Sequence, residues 1–167
     1  MKIEKHPFEP FVPKNPTVLI LGSFPGKEHT QGNSNPENWF YGAKRNRFWH
    51  ILSKVYGTTL DSKLEKQQIF EKYGIAITDI LLEVRRKNNS NLDENLEIEK
   101  YNELAIKEIL NLNQISAIFF TSRFVEKHFK KLFPNVSVGE YLPSPSPRFA
   151  RMTFNEKVTF YKMKLPK

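Results

Sequence analysis

The sequence predicts an α/β fold, a three-layer α/β/α sandwich around a mainly parallel central sheet. Short, almost wholly apolar runs ("TVLIL", "IAITDI", "AIFFTS") alternate with longer segments whose apolar residues recur at helical spacing. Strands buried on both faces read as continuous apolar runs, and their alternation with helices is the pattern of a layered α/β domain. The 167 residues suffice for one sizeable core, with no internal repeat or low-complexity linker to divide them. Residues 1–167 are therefore expected to form a single domain.

The elements follow in order. Pro7, Pro10, Pro13 and Pro16 make residues 1–16 an extended arm lying on the domain. Residues 17–21 form a buried strand ended by Gly22, and a long polar loop follows. Phe48, Ile51, Leu52, Val55 and Tyr56 keep helical spacing, which predicts a helix over 46–56. A second helix is expected over 61–73, a strand over 75–80, the polar stretch "RRKNNSNLDEN", and a helix over 97–112. Residues 117–122 read as a third strand. The segment 122–133 reads as a helix carrying Phe124, Val125, His128, Phe129, Leu132 and Phe133 on one face, which makes His128 a core residue. A fourth strand approaches "YLPSPSP", and Thr153 with Glu156 is a capping box that starts a last helix. Ligands of such sheets bind at the carboxyl ends of the strands. The loops after Leu21, Ile80 and Leu142 lie at such ends and should converge on one site.

Composition narrows the function. With 26 Lys and Arg against 18 Asp and Glu, the net charge is +8, which suits a polyanion such as nucleic acid as readily as it describes a basic surface. The absence of cysteine excludes disulfides, Cys-ligated zinc, iron–sulfur clusters and a thiol nucleophile. No apolar run has the form of a signal peptide or the length to span a bilayer. A soluble, cytoplasmic protein with no membrane association is expected, with a monomer as the default. No His, Asp or Glu cluster has metal-ligand spacing, so neither a metal nor another cofactor is expected.

The loops hold the chemistry. In "GSFPG", Gly22 and Gly26 permit close backbone approach to a ligand and Pro25 stiffens the turn, but the phosphate-loop signature is missing. Tyr41 precedes "GAKRNRFW", where an exposed ring would stack on a base. Asn46 is either a reader of base edges, an orienter of water, or a helix cap. Lys44, Arg45 and Arg47 suit phosphates or a solvated face. In "LPSPSPRFAR", Ser144, Ser146 and Arg151 suit phosphate contact, and Arg148 or Phe149 would fill the gap left by an extruded nucleotide; a Pro-rich surface turn is the alternative. Asp79 ends a strand, where a carboxylate either caps a loop or faces a site. His29 is a further candidate in the long loop. A Ser23, His29 and Asp79 triad has no nucleophile-elbow motif to support it.

"VLILGSFPG", then "FYGAKRNRFWHIL", then "LPSPSPRFAR" together resemble the uracil-DNA glycosylase superfamily. The likeness is greatest to its hypoxanthine-DNA (deoxyinosine) glycosylase branch, and next to the mismatch-specific uracil glycosylases. The three blocks keep their order and spacing from about residue 17 onward, and "ITDI" with "NSNLD" also resembles the deoxyinosine branch. The resemblance implies hydrolysis of the N-glycosidic bond of a deaminated base flipped out of DNA. Hypoxanthine would be preferred and uracil possible. In the mismatch-specific branch the first motif reads Gly-Ile-Asn-Pro-Gly and its Asn activates the water. Phe24 stands there in this chain and cannot form those hydrogen bonds, which argues against uracil excision by that route.

In the deoxyinosine branch an Asn outside the first motif serves instead, and Asn46 maps to it. The catalytic set implied is Asn46, Ser23 and Asp79. The base pocket would comprise Gly22, Phe24, Pro25, Gly26 and Tyr41, with the backbone N–H groups of Ser23 and Phe24 as donors to the base. No Lys occupies a motif position for Schiff-base chemistry, so a monofunctional glycosylase is expected. The insertion "KEHTQGNSNPENW" departs from the branch pattern; it would alter substrate choice or cover the pocket as a lid, and Asn33, Asn35 and Asn38 are further candidates for polar base contact. The alternatives are a non-catalytic nucleic-acid-binding module of the same fold and a nucleotide- or small-molecule-binding α/β enzyme.

Overall fold

The computed structural model describes residues 1–32 and 34–167. Four parallel strands form the main sheet: β2 (Val18–Gly22), β3 (Ile75–Asp79), β6 (Ala117–Phe120) and β7 (Gly139–Tyr141), in the order β3-β2-β6-β7. The run "VLILG" is buried at every position. Its Val18 and Ile20 join one core, and Leu19 and Leu21 the other. Helices α2 (Phe48–Tyr56), α3 (Lys63–Tyr73) and α6 (Phe154–Lys164) cover the first face through Ile51, Leu52, Phe70 and Tyr161. Helices α4 (Glu103–Leu112) and α5 (Arg123–Leu132) cover the second through Ile106, Ile109, Val125 and Phe129. This is the predicted three-layer arrangement. The capping box of Thr153 and Glu156 opens α6, and Gly57 and Gly74 close α2 and α3 in the left-handed conformation.

A second, antiparallel sheet lay outside the expectation. It pairs β1 (Ile3–Lys5), β4 (Leu81–Arg86) and β5 (Leu96–Tyr101) in the order β1-β4-β5. The helix expected over 97–112 is therefore a strand followed by a helix that begins only at Glu103. In "LEIEKY" the apolar Leu96 and Ile98 alternate with Glu97 and Glu99. These two carboxylates meet Lys87 and Arg85 across the strand pair, at 2.7 Å in each case. The period of two, not of 3.6, decides the element.

The amino-terminal arm is built into the fold. Beyond β1, Phe11 exchanges backbone hydrogen bonds with Ile77 (3.0 and 2.9 Å), which covers the free edge of β3. A short helix, α1 (Lys27–Thr30), occupies the loop after β2.

Candidate active site

The carboxyl ends of β2, β3 and β6 open into a cleft of about 700 Å³. Register places Gly22 beside Asp79, with Thr121 just beyond the end of β6. A Cβ on Gly22 would run into the Asp79 carboxylate and the Tyr41 hydroxyl, so the close approach of these two groups requires glycine. Asp79 Oδ2 is 2.9 Å from His6 Nε2, and both side chains are almost wholly buried. The Phe8 backbone fixes the other ring nitrogen, Nδ1, at 2.9 Å from its carbonyl oxygen.

A second carboxylate, Asp93, lies in the cleft wall. Ser122 Oγ donates to Asp93 Oδ2 at 3.1 Å and accepts from Val125 N–H at 3.2 Å, so one hydroxyl caps α5 and orients the carboxyl. Burial holds Asp93 above the ordinary aspartate range; the Ser23 and Ser122 hydroxyls draw it partly back, and the charge of Asp79 adds to the rise.

Tyr41 is not the exposed ring that the sequence suggests. One face stacks on Phe48 (4.0 Å between centroids, 21° between planes), and its hydroxyl is 2.8 Å from Thr121 Oγ1. Its φ of 56° is a left-handed conformation rare for an aromatic residue, which these two contacts maintain. Burial pushes its hydroxyl well above the ordinary tyrosine value, and the charge of Asp79 adds to this. Phe24 provides a second aromatic wall, with the Arg86 guanidinium 5.9 Å above its ring and His6 edge-on at 5.6 Å.

Asn46 serves as cap and cleft residue at once. Its Oδ1 accepts the Phe48 N–H at 2.9 Å, which starts α2 at Phe48 and not at Asn46. The amide nitrogen is left to the cleft, so Asn46 offers its donors to a ligand. The N–H groups of Ser23 and Phe24 likewise have no acceptor among the described residues. Of the charged residues that line the cleft, Asp79 is buried and Asp93 half-buried in its wall, whereas Glu28, Glu94, Arg45 and Arg148 are exposed at its mouth.

The loop carrying Ser144 to Arg148 is anchored at three points of its backbone. Tyr161 OH donates to Pro143 O at 2.7 Å, Lys157 Nζ to Ser146 O at 3.0 Å, and Arg47 N–H to Pro145 O at 3.2 Å. Ser144 Oγ and Ser146 Oγ accept the backbone N–H groups of Ser146 and Arg148, so both hydroxyls shape the turn and keep a proton to donate outward.

A model of the uracil DNA glycosylase superfamily matches residues 9–164. This chain belongs to that superfamily. Among curated proteins it is similar to the hypoxanthine DNA glycosylase of Methanosarcina barkeri, 26% identical over 106 residues, which cover 62% of this chain and 63% of that protein. Its fold matches the solution NMR structure of a Methanosarcina acetivorans protein described as a candidate uracil DNA glycosylase. There the TM-score is 0.74 at 23% identity, covering 98% of this chain and 96% of the other. Within the superfamily frame, the structure brings Ser23, Phe24, Pro25, Gly26, Tyr41, Arg45, Asn46, Asp79, Ser144, Ser146 and Arg148 to one cleft, with Gly22 packed beneath it. Lys44 and Arg151 are exposed outside it, and Arg47 lines a neighbouring groove.

Several expectations need correction. The chain after Ile80 enters β4, and the second loop reaches the cleft only through Asn91 to Glu94. The insertion is no lid over residues 34–38: Glu37 binds the Lys63 N–H at 3.0 Å and ties the segment to α3. Asn35 accepts from the Glu37 N–H within its own turn, and neither it nor Asn38 lines the cleft; Asn33 lies outside the described residues. His29 lines the cleft, but both its ring nitrogens are buried without a partner among the described residues, and burial lowers its pKa while Glu28 opposes this. Asp79 pairs with His6 and not with His29, so no Ser-His-Asp triad forms. His128 is only half-buried and bonds the Tyr101 hydroxyl at 2.7 Å. Sequence reasoning missed Asp93 in the cleft wall and His6, which is buried against Asp79. "NSNLD" held a signal for Asp93, whereas nothing local to His6 points to a carboxylate 73 residues away.

Proposed function

We propose that this protein is a monofunctional DNA glycosylase that removes a deaminated base, hypoxanthine in preference to uracil, from a nucleotide flipped out of the helix. The observation that carries the reading is the pair of recessed carboxylates, Asp79 and Asp93, in a cleft with Arg45 and Arg148 at its mouth, at the strand ends of a superfamily fold. Glycosidic cleavage builds positive charge on the sugar and negative charge on the departing base. Carboxylates favour the first, amide donors the second, and rim cations hold the flanking phosphates.

The roles follow from which atoms are free. Asp79, held by His6, takes a proton from the water whose oxygen bonds to C1′. The C1′–N9 bond breaks with its electron pair going to the base, and Asp93 in its acid form protonates the purine at N7. Asn46 donates from its amide nitrogen to the base, as do the N–H groups of Ser23 and Phe24. The Phe24 ring supplies the stacking wall, and Phe24 offers no polar atom to activate water for uracil. The likeness to a protein named hypoxanthine DNA glycosylase supports the same preference.

The test is base release from labelled duplexes and single strands carrying one hypoxanthine, uracil or xanthine, with alkali added afterwards to reveal abasic sites. Release of hypoxanthine with little uracil, and no strand scission before alkali, is expected. DNA binding without any release would leave a non-catalytic module. Asn46 is tested by two variants. Asn46→Asp keeps the acceptor that caps α2 but removes both donors, so it should fold normally and lose roughly 10²–10³-fold in rate, as does Asn46→Ala. Wild-type rates in Asn46→Asp would remove the donor role.

A further inference from the structure

Beside the cleft runs a groove of about 440 Å³ that none of the roles above uses. One wall is α2 and the residue before it: Arg47, His50 and Lys54 fall at i, i+3 and i+7, one stripe of the helix, opposite the stripe of Phe48, Ile51 and Leu52 buried in the core. The other wall is the chain after the proline loop, with Phe149, Met152 and Phe154. Phe154 is 37% exposed, large for a ring with no partner. The described residues lining the groove include cations and no carboxylate. Lys157 does not count among its free cations: its ammonium donates to Ser146 O and lies 5.3 Å over the Phe149 ring, which it fixes in place.

We propose that this groove holds one nucleotide of the same DNA strand, next to the extruded one, its base on the apolar wall and its phosphate on the Arg47–Lys54 stripe. The inference rests on the glycosylase reading and adds a second subsite to it. Its chemistry is an aromatic and aliphatic surface bordered by cations, the combination that binds unpaired nucleotides without reading their sequence. Its occupant is set by continuity: Pro147 and Phe149 line both the cleft and the groove. A strand with one nucleotide in the cleft crosses this shared ridge and delivers its neighbour to the groove, with no need to reach the complementary strand.

The experiment measures, by fluorescence anisotropy, the affinity of single strands that carry a stable abasic-site analogue and are lengthened one nucleotide at a time to either side. On one side, the first added nucleotide should tighten binding by roughly five-fold or more, the scale of one base stacking on an aromatic wall. The step should shrink when the added nucleotide lacks its base, and vanish in Phe154→Ala and in Lys54→Glu, both at solvent-exposed positions. No step on either side, or a step that survives both substitutions, would overturn the subsite. So would a step seen only with a complementary strand. Hypoxanthine release is read in parallel: a protein that releases no base yet keeps the step has lost the glycosylase reading and not the groove.

Discussion

Asp93 and Asn46 show how much of the site turns on the state of single atoms. The raised Asp93 value means that its acid form persists to higher pH than that of an ordinary aspartate. If this proton goes to the leaving purine, the rate falls as pH rises through the raised value, and Asp93→Asn, with no proton to give, flattens that limb of the profile. Stability has its own sign. Between the ordinary and the raised value the folded state binds more protons than the unfolded one, so stability falls as pH rises through that window. Asparagine does not titrate, so Asp93→Asn should melt at a higher temperature than wild type at pH 7 and lose that advantage near pH 3. Thermal melts at the two values check it. A residue whose replacement stabilises the fold and removes activity is placed for function. Asn46 illustrates the limit of reading by residue type. Cap and reader were alternatives in the sequence, but the cap occupies only Oδ1, so the two roles can share one amide.

At the scale of elements, the arm and the second sheet hold the first motif in place. Glu4 of β1 accepts from Arg86 of β4 at 3.1 Å, from Thr30 at 2.5 Å and from Gln31 at 2.7 Å, and Arg86 donates onward to Pro25 O at 3.0 Å. One buried ion pair thus joins the arm, α1 and the "GSFPG" loop. Burial pushes Glu4 up, but these donors outweigh it and leave the carboxyl below its ordinary range. Arg86→Met should cost about 3–5 kcal/mol of stability by leaving a buried carboxylate alone. Adding Glu4→Gln should recover part of that loss, since the uncompensated charge is gone. Urea unfolding of the two single variants and the double variant measures the coupling, and strictly additive losses would mean that the pair is not a unit. This level was the least legible in the sequence. The strands β2 and β6 were visible because burial on both faces leaves no polar residue in them. By contrast, β4 and β5 are half-exposed, and apolar positions over 96–112 fit both periods until the Arg85–Glu99 and Lys87–Glu97 pairs across β4 and β5 are known. Likewise the prolines suggest an extended arm, but which side chains it delivers is decided by long-range pairing alone.

For the molecule as a whole, the +8 charge and the acidic cleft answer different demands. On the proposed reading, cations outside hold the phosphates, so affinity should fall steeply with salt, while the recessed carboxylates act only on a nucleotide already inside. Passage between the two zones falls to the proline loop. Its backbone is anchored by Tyr161, Lys157 and Arg47, and it carries Arg148 at the cleft mouth with an exposed side chain. A loop so anchored can fill the vacated stack without first paying for its own ordering, and that benefit exists only where a stack has been opened. Extrusion from a duplex costs a few kcal/mol of unpairing and unstacking, whereas a single strand has little of this to lose. Arg148→Ala should therefore lower kcat/KM on a hypoxanthine duplex by roughly tenfold or more, and by no more than about twofold on the corresponding single strand. Equal losses on both would make Arg148 a phosphate contact like its neighbours, because a lost phosphate contact weakens every substrate alike and flattens the salt dependence instead.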